Sequence, residues 1–131
     1  MIKIGIVGSR RRNTQSDYNV VWMTFNNFCV KYTRESNTVL NYGDYYIVSG
    51  GCPQGADEFA NRIAKEYGVV IKIYYPNWKA YGDSAGLIRN NNIAEESDVL
   101  IACVAPDRKG GTEDTIIKFK REHPKGELII V

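Results

Sequence analysis

Apolar residues follow two different spacings along this chain. Short continuous runs rich in β-branched residues predict strands, and these runs lie at 3–7, 45–48, 69–74, 98–104 and 128–131. Between them, apolar residues recur every three or four positions in segments that begin near residue 16 and then cover 56–67, 84–96 and 112–122. Strands that are apolar on both faces and separated by helices predict a doubly wound, mostly parallel α/β sheet of Rossmann-like type.

Individual residues mark the ends of the predicted helices. Ser16 or Asp17 is placed to cap the first helix and Ser84 to cap the third, since short polar side chains accept hydrogen bonds from free N–H groups. Gly68 is placed to end the second helix, because glycine readily adopts the left-handed conformation found there. His123 lies near the end of the last helix, where we interpret it as a surface residue or a partner of the helix dipole.

Length, charge and cysteine content narrow the class of protein. A chain of 131 residues predicts one domain, 1–131. The net charge of +2 gives no sign of a surface for polyanions, so nucleic acid is an unlikely partner. No apolar stretch reaches the roughly 20 residues of a membrane helix, which predicts no membrane partner. Three scattered cysteines argue against a disulfide framework and, together with the absence of a secretion signal, predict a cytoplasmic protein.

The most informative segment is the glycine-rich sequence SGGCPQGAD at 49–57, which joins a predicted strand to a predicted helix. Such a turn lets backbone N–H groups at a helix start face an anion. The spacing from Gly50 to Gly55 is that of a P-loop, but Ala56 and Asp57 stand where a P-loop has lysine and serine or threonine. We therefore expect binding of a nucleotide-type ligand without NTP hydrolysis.

Two other loops follow strands of the predicted parallel sheet, at 8–12 and 106–112. Loops at the carboxyl ends of parallel strands border a common crevice, where such sheets bind ligands. Three adjacent arginines cannot all enter one crevice, so we expect Arg10 to bind phosphate and Arg11 and Arg12 to be solvated. Asp57 either caps backbone N–H groups or accepts a ribose hydroxyl, and capping is the favoured interpretation.

Further along, several side chains have two interpretations each. Trp78 and Tyr81 either stack on a base or pack within their own loop. Arg89 and Asn90 either face the ligand or pair with a glutamate at 95 or 96, and we favour ligand contact. Thr112 belongs to a second anion-binding turn or is simply the N-cap of the last helix. Cys52 is interpreted as an ordinary loop thiol, because no histidine is placed to activate it.

Four motifs together resemble a known family: GSR at 8–10, SGGCPQGAD at 49–57, GLIRN at 86–90 and GTED at 111–114. Their order and context are similar to those of the SLOG superfamily, a Rossmann-like group that includes the cytokinin-activating LOG enzymes and the DprA proteins. The chain looks most like the small stand-alone bacterial and phage branch. The resemblance implies binding or processing of nucleotides or ADP-ribose-like signals, and it implies a dimer or larger homo-oligomer.

The motifs of the LOG phosphoribohydrolases are only partly present. Arg89 matches their arginine, but Asn90 and Ile93 replace the lysine and methionine of their helix. Thr115 occupies the position of their glutamate. Glycosidic cleavage needs a carboxylate near the developing cation, so Glu113 and Asp114 are the candidates for an enzyme that also uses Arg89.

We therefore predict a protein that binds a small nucleotide-derived ligand as a sensor, carrier or sequestering protein. The Asn-, Ile- and Tyr-rich composition suggests an AT-rich genome and agrees with a phage origin. Alternatives are an N-glycosidic hydrolase or sugar transferase, and a DprA-like module for single-stranded DNA. No cofactor and no metal site is predicted. The predicted ligand contacts are Gly8, Ser9, Arg10, Ser49, Gly50, Gly51, Gly55, Asp57, Trp78, Arg89, Asn90, Gly110, Gly111 and Thr112.

Overall fold

Five strands alternate with helices in a computed structural model that describes every residue from Met1 to Val131. The strands are β1 (Ile2–Gly8), β2 (Tyr45–Ser49), β3 (Val70–Ile73), β4 (Val99–Cys103) and β5 (Glu127–Ile130). The helices are α1 (Gln15–Glu35), α2 (Ala56–Tyr67), α3 (Trp78–Tyr81), α4 (Ala85–Glu96) and α5 (Gly111–Glu122). Single 3₁₀ turns lie at Tyr42–Asp44 and Gly82–Ser84.

All five strands are parallel, in the order β3-β2-β1-β4-β5. The chain builds outward from β1 to β3, then crosses back to place β4 on the other side of β1. The direction of winding therefore reverses between β1 and β4, and the loops that leave these two strands diverge to opposite faces of the sheet. Doubly wound sheets bind ligands at this point. The predicted α/β fold class is confirmed.

Two hydrophobic cores cover the two faces of the sheet. On one face, Ile4 and Ile6 of β1 pack with Phe25 of α1 and Phe59 of α2. On the other face, Val7 of β1 belongs to a smaller core with residues of α4 and α5. Because successive strand residues point to opposite faces, β1 contributes to both cores. The strand order places it at the centre of the sheet.

The structure corrects details of the predicted helix starts. Thr14, not Ser16 or Asp17, is the N-cap of α1, and Asp17 completes a capping box with it. Ser84 is the N-cap residue of α4, as predicted, although its side chain makes no capping hydrogen bond. The N-cap of α5 is Gly110, so Thr112 lies inside the first turn, which excludes the N-cap interpretation of this residue. Gly68 closes α2 in the left-handed conformation, as predicted.

In the sequence, Tyr18, Trp22 and Met23 lie off the main apolar face of the first predicted helix, a pattern that favours self-association, but the structure covers the first two. Tyr18 is 5% exposed and packs edge-to-face on Phe59. Trp22 stacks on Tyr67 with a ring-centroid distance of 4.0 Å. Both rings are therefore covered by the chain's own helices. None of the helices combines the length and apolar character needed to cross a lipid bilayer.

Candidate functional site

A crevice of about 840 Å³ lies at the carboxyl ends of the central strands, at the point where the winding reverses. Loops that follow β1, β2, β3 and β4 border it, and α4 forms a further wall. Twelve of the fourteen predicted ligand contacts line it: Gly8, Ser9, Arg10, Gly50, Gly51, Asp57, Trp78, Arg89, Asn90, Gly110, Gly111 and Thr112.

The other two predicted contacts lie outside the crevice. Ser49 is the last residue of β2 and is fully buried, and its hydroxyl has no hydrogen-bond partner. Gly55 donates its N–H to Asn13 Oδ1 at 2.8 Å, which ties the loop after β2 to the loop after β1. A Cβ on Gly55 would lie 2.6 Å from the carbonyl oxygen of Ser9. Gly55 therefore serves the packing of these two loops.

The three adjacent arginines after β1 have three different environments. Arg11 makes a two-pronged ion pair with Asp107, with nitrogen–oxygen distances of 3.0 and 2.7 Å, and thereby joins the loops after β1 and β4. This hydrogen bonding holds the pKa of Asp107 below its ordinary value. Arg12 is half-buried, pairs with Asp17 at 2.8 Å and donates to two main-chain oxygens. Only Arg10 is exposed on the crevice without an ion-pair partner.

The expectation that Arg11 and Arg12 are simply solvated is therefore wrong. Arg12 reaches the main-chain oxygens of Val104 at 2.9 Å and Val131 at 3.0 Å, which lie beyond the ends of β4 and β5. Its side chain is 23% exposed and that of Asp17 is 15% exposed. Because the guanidinium group of Arg12 supplies hydrogen bonds to these main-chain oxygens, the residue contributes to the stability of the fold.

The glycine-rich loop after β2 is closed by one of its own carboxylates. Asp57, in the first turn of α2, accepts the N–H of Cys52 at 3.0 Å through Oδ2. Gly51 has a φ of +76°, and a Cβ there would lie 2.6 Å from the ring of Tyr75. Glycine is thus required by both the backbone conformation and the close approach of the tyrosine. The helix itself starts at Gly55 with no side-chain cap.

The carboxylate of Asp57 is held in a tight polar environment. Burial raises its pKa above the ordinary value, against the opposing effects of the Cys52 N–H, the positive charge of Arg89 and the Gly50 N–H. The Ser49 hydroxyl also lies near this carboxylate, without forming a well-aligned hydrogen bond. Two charges of opposite sign therefore meet beneath the glycine loop.

Arg89 and Asn90 form a bridge along the wall of the crevice. Arg89 donates through Nη1 to the carbonyl oxygen of Gly50 and through Nε to Asn90 Oδ1, at 3.0 Å in the second case. Asn90 is buried and donates to the carbonyl oxygen of Gly111 at 3.3 Å and to Asp114 at 3.2 Å. The two residues thus connect the loop after β2 to the start of α5, and neither pairs with Glu95 or Glu96.

The start of α5 provides a second turn with free backbone donors. Gly110 has a φ of +121° and supplies no side chain to the first turn of the helix. Lys109 and Thr112 line the crevice on either side, and the ammonium group of Lys109 has no ion-pair partner. An uncapped helix start beside a free cation is suited to a negatively charged group.

Neither acid proposed for an enzyme lines this crevice. Glu113 pairs with Arg108 at 2.9 Å, and Asp114 pairs with Lys118 at 2.7 Å. Thr115, at the position of the LOG glutamate, is buried at the crevice floor, and its hydroxyl donates to the Gly111 carbonyl oxygen at 3.4 Å. The carboxylates that line the crevice are Asp57 and Asp83.

Aromatic side chains form the outer rim. Trp78 is 59% exposed and Tyr75 is 68% exposed, and both line the crevice. Tyr81 is also exposed but lies outside the lining. Trp78 belongs to α3, a short helix that Asn77 caps, in a segment predicted to be a loop. Sequence reasoning missed Tyr75, although its position directly after β3 in an aromatic-rich segment was a usable signal.

The remaining reactive side chains stand apart from any cluster. Cys52 is a free thiol on the crevice, while Cys29 and Cys103 are buried in the core. Burial raises the pKa of Cys29 to about 12, which keeps its thiol protonated. His123 follows α5, and its Nε2 lies 2.9 Å from the carbonyl oxygen of Ala94. No three His, Cys, Asp or Glu side chains converge as metal ligands.

Comparisons with protein-family models, with curated proteins and with solved structures find no match to this chain.

Proposed function

We propose that this protein binds a small nucleotide-derived ligand, such as a nucleotide or an ADP-ribose-like signal, as a sensor, carrier or sequestering protein. The observation that carries the proposal is the crevice at the reversal point, which combines free cations, an uncapped helix start and exposed aromatic rings. The cations and the helix start match the phosphate of a nucleotide, and the aromatic rings match its base. The four motifs that resemble the SLOG superfamily support the same assignment.

The phosphate of the ligand is assigned to the side of the crevice formed by Arg10 and the start of α5. Arg10 and Lys109 are charged, line the crevice and have no ion-pair partner. The N–H groups of the first turn of α5 and the positive end of its helix dipole add to the attraction. A charged hydrogen bond of this kind contributes about 1.5–3 kcal/mol.

The base is assigned to the aromatic rim. Trp78 presents more than half of its surface to solvent, which is unusual for tryptophan unless it meets a partner. Leu87 of α4 is also exposed and lines the same end of the crevice. A base that stacks on the indole ring covers both apolar surfaces.

Isothermal titration with AMP, ADP, ADP-ribose and NAD tests the proposal. We expect at least one of them to bind, and we expect Arg10→Ala to weaken that binding by roughly tenfold or more. Arg121→Ala is the matched control, because Arg121 is exposed in the last turn of α5, about 15 Å along the helix from its start. Equal affinity in the wild type and both variants would contradict the assignment of the phosphate.

The hydrolase alternative is tested by incubating the protein with AMP, CMP and NAD and separating the products by chromatography. We expect no release of free base or nicotinamide, because Glu113 and Asp114 are engaged by Arg108 and Lys118 away from the crevice. Base release that is lost in Asp57→Asn would establish an enzyme and locate its carboxylate. We also expect no magnesium-dependent release of phosphate from ATP, because Ala56 and Asp57 stand where a P-loop has its lysine and its magnesium-binding hydroxyl.

The DprA-like alternative is tested by fluorescence anisotropy with a labelled single-stranded oligonucleotide. The electrostatic attraction of the crevice for a polyanion is weak, because its four basic side chains are partly offset by two acidic ones. These residues are Arg10, Arg11, Arg89 and Lys109, and Asp57 and Asp83. We expect no binding at physiological salt.

A further inference from the structure

The carboxylate of Asp57 has acceptor capacity that the protein does not fill. Oδ2 accepts the N–H of Cys52, and the N–H of Gly50 and the hydroxyl of Ser49 lie close to the carboxylate without a second well-aligned hydrogen bond. The Ser49 hydroxyl is the single fully buried polar side-chain atom that lacks a hydrogen-bond partner. Oδ1 of Asp57 also lacks a well-aligned partner, so it is not fully buried. Since Asp57 lines the crevice, this oxygen is accessible from it.

The position of this carboxylate determines what the glycine-rich loop can bind. The N–H of Cys52, which would face an anion in a P-loop, already donates to Asp57. A phosphate placed there would meet a negative charge and would have to displace an internal hydrogen bond. This end of the crevice therefore favours a group that donates hydrogen bonds over one that accepts them.

The neighbouring charge limits the kind of donor. A Cβ built on Gly50 would lie 2.5 Å from Nη1 of Arg89 and 2.9 Å from Oδ2 of Asp57, so the guanidinium and the carboxylate flank the same residue. The positive charge of Arg89 disfavours a cationic ligand group beside Asp57. Neutral hydroxyl groups remain, and an ionised carboxylate offers up to four acceptor positions, which is more than the nearby N–H groups of Cys52 and Gly50 and the hydroxyl of Ser49 can fill.

We propose that Asp57 recognises the ribose of the ligand by accepting hydrogen bonds from its 2′- and 3′-hydroxyl groups. The inference rests on the proposed function and specifies it: the ligand is a ribonucleotide derivative with a free diol, oriented with its phosphate at the start of α5 and its ribose at the glycine loop. Asp57 thus has two roles, since Oδ2 closes the loop and Oδ1 contacts the sugar.

The test compares sugars on the wild-type protein before any substitution is made. Titrations use AMP and ADP beside their 2′-deoxy and 3′-deoxy forms. We expect loss of either hydroxyl to weaken binding by roughly tenfold, the effect of a hydrogen bond to a charged group. Equal binding of the ribose and deoxyribose forms would overturn the inference and leave the proposed function standing. Failure of every nucleotide, including ADP-ribose and NAD, would overturn both.

Asp57→Asn then identifies the residue. The amide keeps the shape and one acceptor for Cys52 but loses the charge, so we expect the preference for the ribose form to fall towards unity. Asp83→Asn is the matched control, because it removes the same charge from the crevice rim and should keep the preference. Circular dichroism verifies that both variants are folded. A ribose preference that persists in Asp57→Asn would show that another group reads the sugar.

Discussion

Arg10 and Arg12 stand two positions apart, yet the structure predicts that truncating Arg12 destabilises the fold and that truncating Arg10 hardly does. Arg12→Ala removes an ion pair with Asp17 and two hydrogen bonds to main-chain oxygens. Hydrogen bonds to charged groups contribute about 1.5–3 kcal/mol each, but the values are not additive and the side chain is 23% exposed. Asp17 also keeps its hydrogen bonds to Thr14 in the variant. We therefore expect a loss of about 2–4 kcal/mol of folding free energy.

Thermal unfolding followed by circular dichroism measures this loss. For a chain of 131 residues the unfolding entropy near Tm is about 0.3 kcal/mol/K, so Tm should fall by roughly 7–14 °C. Arg10→Ala is the control, because Arg10 has no ion-pair partner and its removal should change the folding free energy by less than about 0.5 kcal/mol. Equal Tm values for the two variants would refute the structural role of Arg12.

Four further predictions follow from other residues. Gly51→Ala should destabilise the fold more than Gly68→Ala in urea unfolding, since both have positive φ but only Gly51 has close neighbours; equal losses would contradict this. Binding of AMP or ADP should change tryptophan fluorescence, and Trp78→Phe should abolish the change, since Trp22 is stacked inside the protein; a persistent change would exclude stacking on Trp78. Light scattering should show a dimer or tetramer, and exposed Met23 is available at such an interface; a monomeric mass would contradict it. Burial raises the pKa of Asp57, so the native state binds this proton more tightly than the unfolded chain and the group lowers stability as pH rises above about 4. Asp57→Asn should therefore be more stable than the wild type near neutral pH, and this difference should disappear near pH 4. A difference that does not depend on pH would show that burial does not raise the pKa of this carboxylate.

Hydrophobic spacing was sufficient to predict the fold, because it reports directly on burial. The predicted helix at 56–67 coincides with α2, whose inward face carries Phe59 and Ile63 and whose end is fixed by Gly68. The start of α1 was misplaced because Ser16 and Asp17 compete with Thr14 as caps. Thr14 followed three positions later by Asp17 is a capping-box pattern that could have identified the N-cap. A single-turn helix such as α3 leaves no periodic signal at all.

The loops of the crevice could be predicted, but the roles of their side chains could not. Parallel strands bring the loops after β1, β2 and β4 to one edge of the sheet whatever their sequence. The roles of the arginines, by contrast, depend on partners far away in the chain. Arg11 pairs with Asp107, 96 residues away, and Arg12 reaches an oxygen 119 residues away. Nothing in three consecutive arginines distinguishes one that holds strands together from one that is free to meet a ligand.

Asp57 illustrates the same difference at the level of single atoms. The sequence offers two interpretations, a cap for backbone N–H groups or an acceptor for a ribose hydroxyl, and treats them as exclusive. In the structure the two interpretations are compatible, because Oδ2 accepts from Cys52 while the carboxylate also lines the crevice. Asp57 also occupies the position in the loop where a P-loop would bind an anion, because it accepts the N–H of Cys52. A lysine that binds phosphate would have no phosphate to contact at this position. If the ligand binds as we propose, the hydrogen bond that keeps phosphate away from the glycine loop leaves the carboxylate of Asp57 to the sugar, and the ribose preference of the wild-type protein tests this reasoning directly.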